Sequence, residues 1–367
     1  MRVVILGTRG FPNVQGGVEK HCECLSVNLV KNGCDVTVIT RKPYVDKEIR
    51  EFKGVKLIPI PTIRQKALEA FLHTLIGVFV ALRYKPDILH IQAIGPALFT
   101  PLARLLGMKV ILTSHGSNYK HLKWGKFAKL VLKLGEFLGV RFAEEVITVS
   151  ACIADEIKQK YNRETIIIPN GVIVKKCSKK TSEIANYDLI KGKYILAVGR
   201  FVPEKGFDVL IDAFNILQLD GWKLVIVGRA DHEDKYNFDL IERARKNRNI
   251  ILTGFLTEYQ LHELYNYAGL FVLPSYYEGL SIVLLEAMSH GLSCIASDIQ
   301  ANRNVELGQD RFFKTGNISD LAFKIEKYIN NKLTTDERIK QINMIAEKYD
   351  WGKIACRTLE VYKGVIG

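Results

Sequence analysis

Two glutamates eight positions apart, Glu278 and Glu286, are the residues of this chain best placed to do chemistry. They open and close the run Glu-Gly-Leu-Ser-Ile-Val-Leu-Leu-Glu. An ionised carboxylate only accepts hydrogen bonds, so each glutamate can hold a pair of hydroxyl groups such as those of a sugar or a ribose. The pair alone is also compatible with a solvated loop carboxylate and a carboxylate on a helix surface.

A strand, a loop and a helix must position this pair. Residues 270–273 predict a buried strand and residues 274–278 a loop, and the spacing of Ile282, Leu285 and Met288 predicts a helix. The first turn of a helix presents unpaired amides and a positive dipole end, which bind phosphate groups. At 1.5 Å per residue, a carboxylate about five residues into the helix lies roughly 7–8 Å from those amides, where it can accept the hydroxyls of a ribose. The amides at the start of this helix belong to Gly279, Leu280 and Ser281.

A second loop supplies positive charge. Residues 199–206 read Gly-Arg-Phe-Val-Pro-Glu-Lys-Gly and follow a predicted strand at 194–198. Arg200 and Lys205 can close on a diphosphate from both sides, and the flanking glycines allow close approach. By itself this loop is equally compatible with a solvated basic turn. Taken with the glutamate pair, it predicts two loops of one domain that face one ligand.

The block Pro-Ser-x-x-Glu-Gly at 274–279, followed by Glu286, resembles the signature of the family 4 retaining glycosyltransferases. The resemblance extends along almost the whole chain and implies the GT-B fold, in which two Rossmann-like domains face a cleft. One departure is the Gly-Leu-Ser at 279–281, where the family often has Gly-Phe-Gly. This departure keeps the amides and is expected to alter the pocket for the sugar.

The resemblance assigns roles to five side chains. It implies that Glu278 positions the donor sugar, that Glu286 binds the ribose, and that Arg200 and Lys205 hold the leaving diphosphate. It places His115 beside the reacting sugar, although a lone histidine at a strand end is also compatible with a structural role. The sequence Asp-x-Asp, which metal-dependent sugar transferases of another fold use, does not occur, so neither a metal nor a cofactor is expected.

Three further loops match the family more weakly. The pair Gly16-Gly17 follows the first predicted strand and resembles the family's glycine-rich loop, whose amides approach the donor phosphates or the acceptor. This loop does not fit the dinucleotide-binding fingerprint, and a structural turn is the alternative. Phe255 and Leu256, which follow Gly254, resemble the loop that borders the nucleobase. Asn170-Gly171 resembles the family's hinge segment.

Strands and helices alternate along the chain, which predicts an α/β fold with two mainly parallel, doubly wound sheets. A first domain is expected over residues 1–174 and a second over 175–350. By resemblance, the first binds the acceptor, the second binds the nucleotide sugar, and a helix at 351–367 packs back on the first. Ligands of such sheets bind beyond the carboxyl ends of the strands.

The charge of the chain is uneven. Of the formal net charge of +13, residues 1–180 carry 29 lysines and arginines against 14 aspartates and glutamates, while the remainder carries 23 against 25. This asymmetry predicts a polyanionic partner of the first half, either nucleic acid or an anionic membrane. The basic residues are not interleaved with aromatic ones as in a nucleic-acid recognition module, which favours the membrane.

The segment 124–138 predicts a basic amphipathic helix. Such a helix can lie on an anionic membrane, or it can bury its apolar face in the core. The apolar run 67–82 is short of the roughly 20 residues that span a bilayer and predicts a buried helix. The apolar side of the first segment is expected to carry Trp124, Phe127, Val131, Leu134 and Leu138, and the opposite side Lys126, Lys129 and Lys133.

Together these observations predict a retaining, metal-independent glycosyltransferase of the hexosyltransferase type. A UDP-sugar is favoured as donor over a GDP-sugar, and a glycan or lipid-linked acceptor of cell-surface polysaccharide synthesis, such as lipopolysaccharide, is expected. Seven scattered cysteines and the lack of a secretory signal predict a cytoplasmic protein bound to the inner face of the membrane. The alternatives are a nucleotide-sugar epimerase of the same fold and a basic nucleic-acid-binding module. The sequence leaves the sugar, the linkage and the oligomeric state open.

Overall fold

The alternation of strands and helices expected from the sequence is present in the computed structural model, which describes residues 1–46, 48–62, 68–117, 119, 125–174, 181–231 and 234–367. The chain folds into two units. The first unit comprises residues 1–171 with 351–367, and the second comprises residues 172–350. The sequence-based boundary at 174/175 lies just beyond this division, and the lysine-rich residues 175–180 next to it lie outside the described residues.

The first unit contains a mainly parallel sheet. Its described strands lie in the order β3-β4-β2-β1-β5-β6-β7-β8, with only the β3–β4 pair antiparallel. The chain builds outward from β1 on one side and then returns to β5 to build the other side, so the order reverses between β1 and β5. The strands are β1 Arg2–Leu6, β2 Asp35–Arg41, β3 Glu51–Phe52, β4 Val55–Ile60, β5 Ile88–Gln92, β6 Val110–Ser114, β7 Glu145–Thr148 and β8 Ile166–Ile167.

The second unit contains a parallel sheet in the order β11-β10-β9-β12-β13-β14 among its described strands. Here the order reverses between β9 and β12, which places the loops after these two strands next to each other. The sequence did not predict the short strands β3 and β14. The strands are β9 Tyr194–Val198, β10 Lys223–Val227, β11 Ile250–Gly254, β12 Leu270–Leu273, β13 Cys294–Ser297 and β14 Phe312–Phe313.

Helices cover both sheets because each carries an apolar face toward the strands. In the second unit, Phe207 and Leu321 pack against Leu224 and Val272 of the strands. Apart from the C-terminal helix, the described α-helices of the first unit are α1 Gly17–Lys31, α2 Leu68–Arg83, α3 Thr100–Leu105, α4 Lys126–Phe142 and α5 Ala151–Tyr161. Those of the second unit are α6 Ser182–Asn186, α7 Phe207–Leu217, α8 Lys235–Arg245, α9 Glu258–Tyr267, α10 Ile282–Ser289, α11 Gln300–Arg303, α12 Ile318–Asn330 and α13 Thr335–Lys348.

The C-terminal helix α14, Trp351–Ile366, belongs to the first unit and packs against α1. Its Ile354 and Tyr362 lie in the same apolar core as Leu25 and Leu29 of α1. The hydroxyl of Tyr362 is also hydrogen-bonded to His90 in the middle of β5. The end of the chain therefore contributes to the interior of the unit that its beginning builds.

Candidate functional site

The loops after β9 and β12 meet through an ion pair. Nζ of Lys205 lies 2.6 Å from Oε1 of Glu278, and the hydroxyl of Ser275 donates to the same oxygen at 2.7 Å. The lysine side chain is 18% exposed and the glutamate side chain 11%. The structure thus brings together the predicted cation and the first predicted glutamate, and adds Ser275, whose role the sequence did not predict.

Gly206 allows these two loops to pack at backbone distance. Its φ is +63°, and a Cβ atom at this position would lie 2.3 Å from the carbonyl oxygen of Pro274. Beside this contact, the amide of Tyr276 donates to the carbonyl of Glu204 at 2.8 Å. Any side chain at 206 would clash with the neighbouring loop, so the position requires glycine.

Arg200 has a partner that the sequence did not predict. Its Nη1 atom lies 2.8 Å from Oδ2 of Asp231, which belongs to the loop after β10. The two side chains are 29% and 22% exposed, so both are open to solvent. Because β10 neighbours β9 in the sheet, the strand order places Asp231 near Arg200, but a short linear motif carries no information on that order.

The start of helix α10 has the geometry of an anion site. Ser281 occupies the N-cap position without a side-chain capping bond. Its residue is 4% exposed, and its hydroxyl has no hydrogen-bond partner among the described residues. Gly279 and Leu280 precede it, and Leu280 is itself buried. A buried hydroxyl with spare hydrogen-bonding capacity, beside the amides of a first helical turn, suits a phosphate oxygen.

Glu286 lies in the same helix and is oriented from a neighbouring one. Its Oε2 atom accepts a hydrogen bond of 3.1 Å from the hydroxyl of Tyr265 in α9. Burial raises the pKa of Tyr265 well above its usual range, and the negative charge of Glu286 adds to this effect. Tyr265 therefore stays a hydrogen-bond donor at physiological pH and fixes one oxygen of the carboxylate.

The predicted nucleobase loop follows β11. The amide of Gly228 donates to the carbonyl of Gly254 at 2.9 Å, which ties this loop to the one after β10. Leu256 is buried, and the guanidinium of Arg229 lies 5.7 Å from the centre of the Phe255 ring. An aromatic ring and an arginine plane at a sheet edge form a surface on which a base can stack.

His115 follows β6 in the first unit. Its Nε2 atom lies 2.9 Å from Oε1 of Gln92 at the end of β5, and its ring packs edge-on against His21 at 4.7 Å. Burial, followed by the neighbouring imidazoles of His21 and His90, holds the pKa of His115 well below its usual range. The ring is therefore neutral, and it can hydrogen-bond a hydroxyl but does not carry a positive charge.

The loop that ends in Gly16-Gly17 is held by a buried ion pair. Oε1 of Glu19 lies 3.0 Å from Nε of Arg9, and Arg9 also donates to the carbonyl of Gln15. The φ of Gly16 is +148°, and a Cβ atom there would lie 2.0 Å from Oε2 of Glu19. Gly17 begins α1, where a Cβ atom would meet nothing within 4 Å. The sequence predicted the glycines but not the ion pair that shapes the loop.

Helix α4 exposes its apolar side chains. Phe127 is 77% exposed and Leu130 63%, and Lys126 and Lys133 are exposed with them. Lys129 is half-buried, while Leu134 and Phe137 are exposed. Trp124, expected on this helix, lies outside the described residues.

Two glycines lie on the inner face of α4, beside the buried side chains of Glu136 and Val140. A Cβ atom on Gly135 would lie 2.3 Å from the carbonyl oxygen of Ile94, and one on Gly139 would lie 2.5 Å from Cβ of Ala97. The helix backbone therefore packs directly on residues 94–97, while the exposed apolar side chains lie outside that contact. The predicted separation of an apolar from a basic side is only partly correct, because both kinds of side chain share the solvent-facing surface.

Helix α2 departs from its prediction as a buried helix. Phe71, Ile76 and Phe79 are 40%, 43% and 50% exposed, although Val78 and Ala81 are buried. Among the described residues, every helix is too short or too polar to cross a bilayer. The same residues contain no group of three or more side chains arranged to bind a metal ion.

Two family models match the chain in succession. Residues 15–176 match the model described as Glycosyltransferase Family 4, and residues 180–347 match the model described as Glycosyl transferases group 1. The second match contains both glutamates, both predicted cations and the whole of α10.

Curated relatives of similar length are also glycosyltransferases. An uncharacterized glycosyltransferase of Methanocaldococcus jannaschii is 26% identical over 99% of this chain and 98% of its own length. The phosphatidyl-myo-inositol mannosyltransferase of Mycobacterium leprae is 26% identical over 100% of this chain and 97% of its own. The capsular polysaccharide biosynthesis glycosyltransferase CapM of Staphylococcus aureus is 25% identical over 83% of each chain.

Solved structures show the same fold. The sucrose-phosphate synthase of Thermosynechococcus elongatus superposes with a TM-score of 0.85 at 20% identity, over 99% of this chain and 98% of that one. Anabaena HepE in complex with UDP and glucose gives a TM-score of 0.79 at 18% identity, over 99% of both chains. These likenesses confirm the predicted GT-B fold class, with its two doubly wound sheets.

Proposed function

Because the chain belongs to the family 4 glycosyltransferases, we propose that it moves a sugar from a nucleotide diphosphate to a hydroxyl of a glycan or lipid-linked acceptor in cell-surface polysaccharide synthesis. We take a UDP-sugar as the first choice of donor and a GDP-sugar as the second, and we propose that the anomeric configuration is retained. In this proposal the second unit binds the donor and the first unit binds the acceptor.

The observation that carries the proposal is the junction of the loops after β9 and β12. Ligands of open parallel sheets bind where the strand order reverses, which in the second unit is between these strands. At that point a lysine and a glutamate touch, and the amides of α10 follow within a few residues. Cations and amides suit a diphosphate, and the carboxylate suits sugar hydroxyls.

The proposed chemistry uses fixed charges in place of a metal ion. As the glycosidic bond breaks, negative charge develops on the leaving diphosphate, and Arg200, Lys205 and the amides of α10 stabilise it. Glu278 and His115 hold the sugar by its hydroxyls, and Glu286 holds the ribose. We propose that the acceptor hydroxyl attacks on the face that the diphosphate leaves and transfers its proton to a phosphate oxygen of the donor.

We further propose that α4 binds an anionic membrane that carries the acceptor. Its exposed side chains combine Phe127, Leu130 and Phe137 with Lys126 and Lys133, which suits insertion of rings between lipids and attraction of anionic headgroups. The excess of positive charge in residues 1–180 would add to the attraction to an anionic membrane. Relatives that act on phosphatidyl-myo-inositol or in capsular polysaccharide synthesis support an acceptor of this kind.

Two measurements test the proposal. A thermal-shift panel of nucleoside diphosphates and their sugars identifies the donor, since binding to the folded state raises its apparent stability. The selected sugar nucleotide is then incubated with membrane extracts or lipid-linked glycans in excess chelator, and the anomeric linkage of the product is read by NMR. Transfer with retained configuration supports the proposal. Activity that requires a divalent metal contradicts its mechanism, and release of an epimeric sugar nucleotide without acceptor contradicts the reaction itself.

A further inference from the structure

A buried chain of hydrogen bonds joins His115 to the C-terminal helix. Nε2 of His115 lies 2.9 Å from Oε1 of Gln92, and the amide nitrogen of Gln92 lies 3.2 Å from Nε2 of His90. Nδ1 of His90 lies 2.6 Å from the hydroxyl oxygen of Tyr362. The chain runs from the end of β6 through β5 to α14.

This chain determines where the protons lie. Gln92, His90 and Tyr362 are each 0% exposed, so these groups depend on one another, and not on bulk water, for their hydrogen bonds. The amide of Gln92 offers its oxygen to one histidine and its NH₂ group to the other, which places a proton on Nε2 of His115 and removes it from Nε2 of His90. The hydroxyl of Thr113 lies 2.6 Å from the same nitrogen of His90. The proton of the neutral His90 ring is then on Nδ1, which faces the hydroxyl oxygen of Tyr362.

We propose that Gln92, His90 and Tyr362 are positioning residues that hold His115 as the neutral imidazole protonated on Nε2, so that Nδ1 accepts a hydrogen bond from a hydroxyl of the donor sugar. Among the described residues, Nδ1 of His115 has no hydrogen-bond partner. The sugar group that faces this nitrogen must therefore be a hydrogen-bond donor. A hydroxyl can donate such a hydrogen bond, and an ionised carboxylate cannot. The inference rests on the proposed function, which puts His115 beside the sugar.

The surroundings of His115 favour the neutral ring from every side. From α1 it meets His21, whose Nδ1 lies 3.0 Å from Oδ1 of Asn170 and whose pKa is lowered by burial to about 4. From β5 it meets Gln92 and, through it, His90. From α14 the neighbour of His21 is the uncharged ring of Trp351, at 5.4 Å. None of the described carboxylates forms a hydrogen bond or an ion pair with His115.

The variant Gln92→Glu tests the chain by the pH dependence of turnover. A carboxylate at this position accepts from both histidines and stabilises a positive charge on His115, which raises the pKa of that residue. The wild-type enzyme should show no loss of turnover from this group between pH 8 and pH 5.5. The variant should lose about tenfold for each pH unit below the raised pKa, since only the neutral ring is active. A His115 that takes no part in turnover leaves the pH profile unchanged.

The variant Tyr362→Phe tests the end of the hydrogen-bond chain that lies farthest from His115. Without the hydroxyl, Nδ1 of His90 has no acceptor, so the protons of both histidines should move to the other nitrogen. Spectra of ¹⁵N-labelled histidine should then show the proton of His115 on Nδ1, and turnover should fall by about tenfold, the value of one hydrogen bond. Binding of the nucleoside diphosphate should not change. Tyr194→Phe is the matched control, because this buried tyrosine donates to the carbonyl of Leu264 in the second unit.

A wild-type pH profile of Gln92→Glu, or an unmoved proton in Tyr362→Phe, overturns the inference. If Gln92→Glu does not fold, the proton position in Tyr362→Phe decides alone. His115→Ala separates this inference from the proposed function. If His115→Ala turns over the sugar at the wild-type rate, the proposed place of His115 is itself wrong. If His115→Ala is slow while Gln92→Glu and Tyr362→Phe behave as wild type, only the proposed role of the hydrogen-bond chain is wrong.

Discussion

At the scale of single residues, Glu286 gives the sharpest test of donor binding. If its carboxylate accepts two ribose hydroxyls, Glu286→Ala should weaken binding of the nucleoside diphosphate by about 1.5–3 kcal/mol, the usual value of hydrogen bonds to a charged group. Calorimetry with the diphosphate alone measures this. The matched ligand is the 2′,3′-dideoxy analogue, which should bind wild type and variant equally. Equal loss for both ligands would show that the substitution acts on the fold of α10 and not on the ribose.

Gly206 tests whether the two loops must touch. Gly206→Ala places a methyl group 2.3 Å from the carbonyl of Pro274 and should separate Lys205 from Glu278. Gly221→Ala is the control, because its φ of +68° imposes the same backbone cost without any atom within 4 Å. Each variant should lose about 1–2 kcal/mol of stability from the left-handed conformation. Only Gly206→Ala should also lose affinity for the diphosphate, which calorimetry measures. If both variants bind the diphosphate equally well, donor binding does not require the close contact of the two loops.

Arg200 and Lys205 test the origin of leaving-group stabilisation. Replacing either residue by alanine removes charge that acts as the bond breaks, which typically costs about 10²- to 10³-fold in turnover. Arg200→Lys should also be slow, because a point charge cannot reproduce a forked contact. Arg243→Ala is the control, since Arg243 forms a similar pair with Asp212 at 2.7 Å away from these loops. Single-turnover rates in excess chelator measure the effect, and near-wild-type rates would contradict the assignment.

The sequence predicted which residues of the second unit are grouped, but not their partners. Arg200, Lys205 and Glu278 could be identified because each lies in a short motif. Asp231 and Tyr265 could not, since each lies in a different loop or helix and meets its partner only through the order of strands and the packing of α9 on α10. The pairing of Lys205 with Glu278 required the sheet order, which periodicity alone does not determine.

At the scale of elements, the longer strands of both sheets were predictable because buried parallel strands are continuous apolar runs, whereas the two-residue strands β3 and β14 were not. Helix α4 shows the limit of the same reasoning. Its pattern predicts an apolar side, but an amphipathic pattern does not say whether that side meets the core or a membrane. In the structure, Gly135 and Gly139 bring this helix close to residues 94–97, while Phe127, Leu130, Leu134 and Phe137 remain exposed.

The element-scale prediction concerns the basic residues of α4. Changing Lys126, Lys129 and Lys133 to Glu should abolish sedimentation with anionic vesicles, since each cation contributes about 1 kcal/mol near such a surface at low salt. Diphosphate affinity should not change. The control replaces three exposed cations of the second unit by Glu, at Arg245, Lys246 and Lys340, which alters the net charge equally. Equal sedimentation of both variants, or none by the wild type, contradicts membrane binding through α4.

At the scale of the whole molecule, we expect the two units to differ in their response to acid. Burial is the main cause that lowers the pKa of His90 to about 3 and that of His73 to about 3, and both belong to the first unit with His21 and His115. Because these rings are neutral when folded and titrate near 6.5 when unfolded, their contribution to stability is complete above pH 6.5. It is lost as the pH falls toward the folded values.

Below pH 6.5, each pH unit should therefore cost the first unit about 1.4 kcal/mol per buried histidine. Hydrogen exchange at pH 7 and pH 5 should show protection lost first in residues 1–171. His73→Leu removes one titrating ring and should reduce the pH dependence of the urea midpoint without abolishing it. If the second unit loses protection first, or if the midpoint is independent of pH, the histidines are not buried as neutral groups.

The ion pair of Lys205 and Glu278 also bears on turnover. Each group neutralises the charge of the other. A ligand that separates them therefore binds most favourably when it offers a new hydrogen-bond partner to both. An intact sugar nucleotide offers phosphate oxygens to the lysine and sugar hydroxyls to the glutamate. The spent nucleoside diphosphate offers only the first, and leaves a largely buried carboxylate with the hydroxyl of Ser275 as its remaining partner. If that contact positions the sugar as proposed, it also penalises the product and favours its exchange for fresh donor.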